Sequence, residues 1–288
     1  MTVSELVGGR SEEGVALLAP HPGQPGTGSD PHSQALLSRL LWSLMQVRVT
    51  IAYAAVLIAV GATLLALGSP AHNLVVSQVS TNLHNLAHGH LGTLIGSAFV
   101  TEDHDIYVIL PGLVCLLALG ELVWRGRRLV LAFAVGHVGA TGMVAVGLAV
   151  AIGAGWLPIS IAHASDVGIS YGAAGVLGAL TAAIPRQWRP GWIGWWLAIA
   201  LVAASWPGFT AAGHMIALIL GMGLSPWLGS VASWTRTRTV LLVVGVMFGY
   251  LMITGSSSPL AAAVAGPAGL LVALIAHSVA GRFRTASR

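Results

Sequence analysis

Apolar stretches recur along this chain at the length a lipid bilayer demands. A hydrocarbon core of ~30 Å takes roughly 20 apolar residues of helix. Eight segments meet or approach that length: 49–68, 106–124, 129–152, 168–184, 191–206, 209–227, 239–254 and 259–279, the fifth and seventh being short. Backbone groups cannot stay unpaired in lipid, so such segments must be helices. Composition agrees: 8 % of the 288 residues are charged, 56 % are hydrophobic, and mean hydropathy is +0.83. A soluble chain carries about a quarter charged residues. The 13 arginines and 9 acids, with no lysine, could not coat a soluble domain of this size. The predicted class is all-α, a polytopic membrane helical bundle. A soluble enzyme, a disordered chain and a disulfide scaffold are excluded. Cys115 is the single cysteine and forms no internal disulfide. The arginines are scattered rather than clustered, so no nucleic-acid partner is expected.

The segments divide the chain unevenly. Residues 1–40 hold four acids and a Pro/Gly/Ser run from Pro20 to Pro31, which reads as a disordered tail without the features of a cleaved signal. A long, moderately apolar stretch, 69–105, carries His72, His84, His88, His90 and His104 and is too polar to span. All 13 arginines fall in the tail, before the first span, in alternate loops or after the last span, and 69–105, 153–167, 207–208 and 255–258 contain none. Positive charge marks the cytoplasmic side. Both termini are therefore expected in the cytoplasm, with 69–105 outside, in a multi-pass protein of the plasma membrane. Trp124, Trp156, Trp188, Trp192, Trp206, Trp227 and Trp234 fall near predicted helix ends, as an aromatic belt requires.

Polar groups within spans are expensive and mark candidate sites. Glu121 stands four residues before Arg125, the spacing of a helical ion pair. His137 lies mid-span on a small-residue face, placed to hydrogen-bond across a helix contact. Asp166 precedes the fourth span and is the expected N-cap there. Ser170, in the fourth span, and His214, in the sixth, both lie about a turn below the outer surface on helices that run the same way. Gly168, Gly172, Gly175 and Gly178 line one helix; Gly213, Ala217 and Gly221 line the other. Such small-xxx-small stripes let backbones approach closely enough for a hydroxyl to reach an imidazole. A serine at a helix start also has free N–H groups beside it for a developing oxyanion.

At these residues the chain resembles the rhomboid intramembrane serine proteases. Gly168-Ile169-Ser170 is similar to their Gly-x-Ser motif opening the fourth core helix. Gly213-His214 followed by Ala217 and Gly221 is similar to their histidine motif opening the sixth. The stretch 69–105 resembles their long first outer loop, Gly92–Val100 the approach to their second helix, and Leu119-Gly120-Glu121 that helix's end. The resemblance implies a six-helix rhomboid-like core over 41–227 with two transmembrane helices appended in 228–288. It implies Ser170 as nucleophile and His214 as general base, acting on transmembrane protein substrates near the outer face, with no metal or organic cofactor.

The departures are specific. Tyr171 stands where the family usually has glycine, and Ala174 where a tyrosine often packs on the histidine. The family's oxyanion asparagine in the second span is absent. His104 stands near the family's histidine place, and the loop cluster Asn82, His84, Asn85 and His88 is the other source of a side-chain donor. A short helix there would put His84 and His88 on one face. The missing asparagine motivates a second reading, a pseudoprotease that binds transmembrane helices without cutting them. His137 and the glycine-rich spans motivate a third, a transporter, which lacks an evident inverted repeat or paired intramembrane charges. The sequence leaves the oligomeric state open.

Overall fold

The computed structural model describes residues 38, 42–101, 106–229, 232–255 and 259–286, mostly helical with no strand among them. The chain forms α1 (Arg48–Leu67), then loop helices α2 (Ser69–Val79), α3 (Leu83–Ala87) and α4 (Thr93–Gly96) with a 3-10 turn at Ser97–Phe99. There follow α5 (Ile106–Trp124), α6 (Gly126–Gly153), a 3-10 turn at Ile159–His163, and α7 (Ser170–Ala179), which tightens into a 3-10 turn at Leu180–Ala182. Helices α8 (Arg189–Ala204), α9 (Phe209–Leu228), α10 (Arg236–Thr254) and α11 (Pro259–Ala286) complete it. Apart from Ser38, the expected disordered tail 1–40 lies outside the described residues, as does His104.

Among the described residues six helices are long and apolar enough to cross a membrane: α1, α5, α6, α9, α10 and α11 over Pro259–Ala280. The fourth and fifth expected spans are shorter helices, α7 with 10 residues and α8 with 16. Helix α7 can be short because it touches little but protein: residues 171–184 are all buried. Its terminal carbonyls are met by one side chain, since Arg189 donates from Nε to Ile184 O (3.0 Å) and from Nη2 to Ala182 O (2.8 Å). The seventh segment, expected to be short, is the 19-residue α10. The Thr235 hydroxyl accepts from Arg238 N–H, so the helix starts with an arginine-bearing turn that hydropathy assigns to the loop.

Helix α7 is the hub, packed between α5, α6, α9 and α10. In lipid, helices associate by van der Waals fit rather than by hydrophobic burial, so small residues set the contacts. A Cβ on Gly136 of α6 would stand 2.6 Å from Gly175 Cα, and Cβ atoms on Gly178 and Gly221 would press on the carbonyl oxygens of Leu218 and Gly175. Helix α11 lies along α8 through a similar pair, Gly194 and Gly269. Helix α10 packs on α5 and reaches α7, where a Cβ on Gly249 would meet Leu177 at 2.6 Å.

The expected Glu121–Arg125 ion pair is not formed. The Glu121 carboxylate instead accepts from Val49 N–H (3.0 Å), Thr50 N–H (2.8 Å) and the Thr50 hydroxyl (2.8 Å), capping α1 from another helix. An uncapped helix start carries free N–H groups with partial positive charge, and a buried carboxylate satisfies both needs at once. Glu121→Ala is expected to lower stability by about 2–4 kcal/mol, because Thr50 is buried and its donors would be left unpaired. Thermal unfolding in detergent checks this, and an unchanged midpoint would refute the capping role.

Candidate active site

Ser170 is the first residue of α7 and is half-buried. The turn into it is held to the loop at three points. Gly168 N–H donates to Ser97 O (2.9 Å), Thr81 donates from N–H and hydroxyl to Asp166 O (2.9 and 2.7 Å), and Asp166 N–H donates to the Ser80 hydroxyl (2.9 Å). Gly168 has φ +125°, a backbone state that side chains resist, although space around it is open. Asp166 does not cap α7 as expected. Ile169 occupies the cap, and its side chain offers no acceptor to the first N–H groups of α7.

His214 lies in α9, 5 % exposed, and neither ring nitrogen makes a hydrogen bond with a described residue. The neighbour it does have is Tyr171, whose ring stands edge-on at 5.5 Å and 84°. Gly213 admits that ring, because a Cβ there would overlap it. Tyr171 thus does the packing that the family resemblance assigns to position 174. Sequence reasoning missed this, although a bulky ring beside the serine, facing a glycine beside the histidine, was the available signal. The Tyr171 hydroxyl lies near Asp166 and Thr210 but has hydrogen-bond geometry with neither.

Helical periodicity places Ser170 on a different face. Residues seven apart nearly eclipse on a helix, so Ser170 shares its face with Leu177, which packs toward Gly249 of α10. Tyr171 and Gly178 lie on the face toward α9, while Gly175 turns to Gly136 and Ala132 of α6. The structure therefore brings Ser170 and His214 to the same end of packed helices without a hydrogen bond between them. Gly172 makes room for the Phe133 ring of α6, and Ala217 is fully buried between helices.

The loop residues have other work. Asn82 Oδ1 accepts from Asn85 N–H (2.8 Å) and caps α3, while Asn85 Nδ2 donates to Ser77 O (3.1 Å) and Ser80 O (2.8 Å). His88 Nδ1 donates to His84 O (2.8 Å), and the two rings share a face of α3 with centroids 4.3 Å apart. The His84 ring also stacks on His163 at 4.5 Å, joining the loop to the turn ahead of Ser170. Deeper down, Ser97 Oγ and His137 Nε2 are 3.1 Å apart, so His137 bonds across a contact as its position suggested.

Partial desolvation, then the neighbouring rings of His88, His163 and His90, hold the His84 pKa below 6.5. A base whose pKa is lowered by folding stabilises the folded contact above its ordinary value and ceases to as pH falls through the lowered one. The α3–His163 contact is expected to loosen as pH falls below the ordinary histidine pKa of about 6.5. Hydrogen exchange of residues 80–90 and 159–168 at pH 7.5 and 5.5 checks this. His84→Gln should remove the difference.

A family profile described as "Rhomboid-like protein" matches residues 45–233, ending before α10. No curated protein and no solved structure matches the chain.

Proposed function

Because this chain belongs to the family of rhomboid-like proteins, we propose that it is an intramembrane serine protease with Ser170 as nucleophile and His214 as general base. The observation that carries the reading is His214 itself. A buried imidazole with both nitrogens unpaired is costly, and such groups persist where chemistry uses them. Dyad hydrogen bonds often tighten only when substrate binds, and a turn of about 100° in the first residues of α7 would bring Ser170 to the ring in place of Tyr171.

In the proposed reaction His214 takes the proton from Ser170 Oγ as the oxygen attacks a substrate carbonyl. The oxyanion is met by the uncapped N–H groups at the start of α7. His214 then protonates the leaving amine, and water hydrolyses the acyl-enzyme. His104, His84, His88, Asn82 and Asn85 remain the candidates for a side-chain donor, of which Asn82 and Asn85 would have to leave their loop bonds. The substrates are transmembrane proteins cut near the face that carries loop 69–105. That face is external, both termini are cytoplasmic, and the membrane is the plasma membrane. No metal or organic cofactor takes part.

A second reading, a pseudoprotease that binds transmembrane helices, is favoured by Tyr171 standing against His214 and by the apolar residues Val108 and Ile109 in place of the second-span asparagine. Labelling the detergent-solubilised protein with a fluorophosphonate separates the two. Covalent adduct on Ser170, lost in Ser170→Ala, supports the protease. A folded protein that takes no label but still retains a transmembrane peptide supports the binder.

A further inference from the structure

We propose that the end of the bundle where α5 turns into α6 binds an anionic phospholipid, with a fatty chain between α1 and α6 and the phosphate among arginines at its mouth. An apolar cleft of about 290 Å³ runs between these two helices beneath the 3-10 turn at Ser97–Phe99. Tyr53, Phe99, Phe133, Ala134 and Val138 are among the residues lining it. A second, wider basin of about 900 Å³ is lined by Arg48, Arg125, Arg127 and Arg128. Val49 and Val130 line both, so cleft and basin are one continuous surface, apolar inside and basic at the rim.

Charge decides the occupant. All four arginines are exposed residues. Among the described residues the carboxylate at this end is that of Glu121, and it is committed to the start of α1. Arg128 donates from Nη1 to Leu228 O, whereas no described carboxylate pairs with Arg48, Arg125 or Arg127. Among the described residues Arg125 is the non-glycine residue held at positive φ, 68°; it caps α6 without a side-chain bond, and Gly126 and Arg127 of that helix's first turn line the same basin. Trp124 also lines the basin, 4 % exposed, with its indole N–H unpaired. Uncompensated arginines around a helix start suit a phosphate. Continuity with a cleft that is apolar along its length selects one carrying a hydrocarbon chain, as in basic recesses between transmembrane helices.

The test uses the full chain in a nonionic detergent, reading lipid retention by native mass spectrometry and the thermal midpoint. Dioleoylphosphatidylglycerol should be retained and should raise the midpoint, while dioleoylphosphatidylcholine and inorganic phosphate should do neither at the same concentration. Arg125→Gln/Arg127→Gln should weaken retention about tenfold or more. Ala134→Trp, at an exposed position within the cleft, should weaken it comparably by displacing the chain. Both variants should unfold at the wild-type temperature without lipid, which separates lost binding from lost fold. Equal retention of the two lipids, an equal effect of inorganic phosphate, or full retention by either variant would overturn the proposal. So would displacement of the bound lipid by a neutral transmembrane peptide but not by excess phosphatidylglycerol.

Discussion

Ser170→Ala should bring cleavage of a model transmembrane substrate to background, a loss of about 10⁴-fold or more, with the protein still folded. In acyl transfer the nucleophile and its base act as one unit, so removing either forfeits nearly the whole of their joint effect. His214→Ala should therefore lose almost as much, and the double variant little more. The expectation is sharpened by the geometry. His214 has no described hydrogen-bond partner whose loss could explain an effect, and Ser170 lies at a helix start rather than in the packed interior of α7. His137→Ala offers the contrast. Its ring nitrogen meets Ser97 Oγ, so its loss should lower stability and leave the chemical step largely intact. Rate constants at saturating substrate, in protein shown to be folded, decide the matter. Residual cleavage by Ser170→Ala would remove this serine from the mechanism.

Gly221→Val should be the most damaging single packing change. A Cβ at 221 would press on Gly175 O and lie 2.9 Å from Ala179 N, and both obstacles are backbone. Neither can rotate away, so α7 and α9 must part. The expected cost is about 4 kcal/mol or more, at the upper end for any substitution. Gly223→Ala, two residues along the same helix, is the control. Nothing stands within 4 Å of its Cβ position, and alanine should be neutral or stabilise by up to ~1 kcal/mol. Thermal unfolding of the pair in detergent gives the comparison. Equal midpoints would mean that the glycine contact does not hold the two helices together.

The sequence carried the spans well because their cause is the thickness of the bilayer, which any helix of sufficient apolar length answers. It carried the small-residue contacts between α7 and α9 for a related reason, since close approach needs glycine or alanine on both partners. It did not carry the length of α7. A helix buried on all sides need not cross the bilayer, and hydropathy cannot distinguish burial in protein from burial in lipid. Local spacing misled at Glu121 and Asp166. Both have textually adjacent partners, Arg125 and the start of α7, yet Glu121 bonds to α1 and Asp166 joins its backbone to the loop. Tyr171 shows a further limit. Serine and histidine motifs fix which helices meet, whereas the residue facing the histidine depends on how α7 is rotated, and a turn of about 100° separates neighbours.

The shortness of α7 bears on how this protein is made. Ten residues rise about 15 Å, half of a ~30 Å hydrocarbon core. As the segment leaves the insertion machinery it cannot settle as an independent span with both ends in polar surroundings. Its leading end is secured by residues already synthesised, Ser80, Thr81 and Ser97. Its trailing carbonyls wait for Arg189, and two of its packing faces wait for α9 and α10. The hub is thus complete only once α9 and α10 have been made. A ribosome stalled before residue 209 would leave Gly178 and Leu177 without their neighbours.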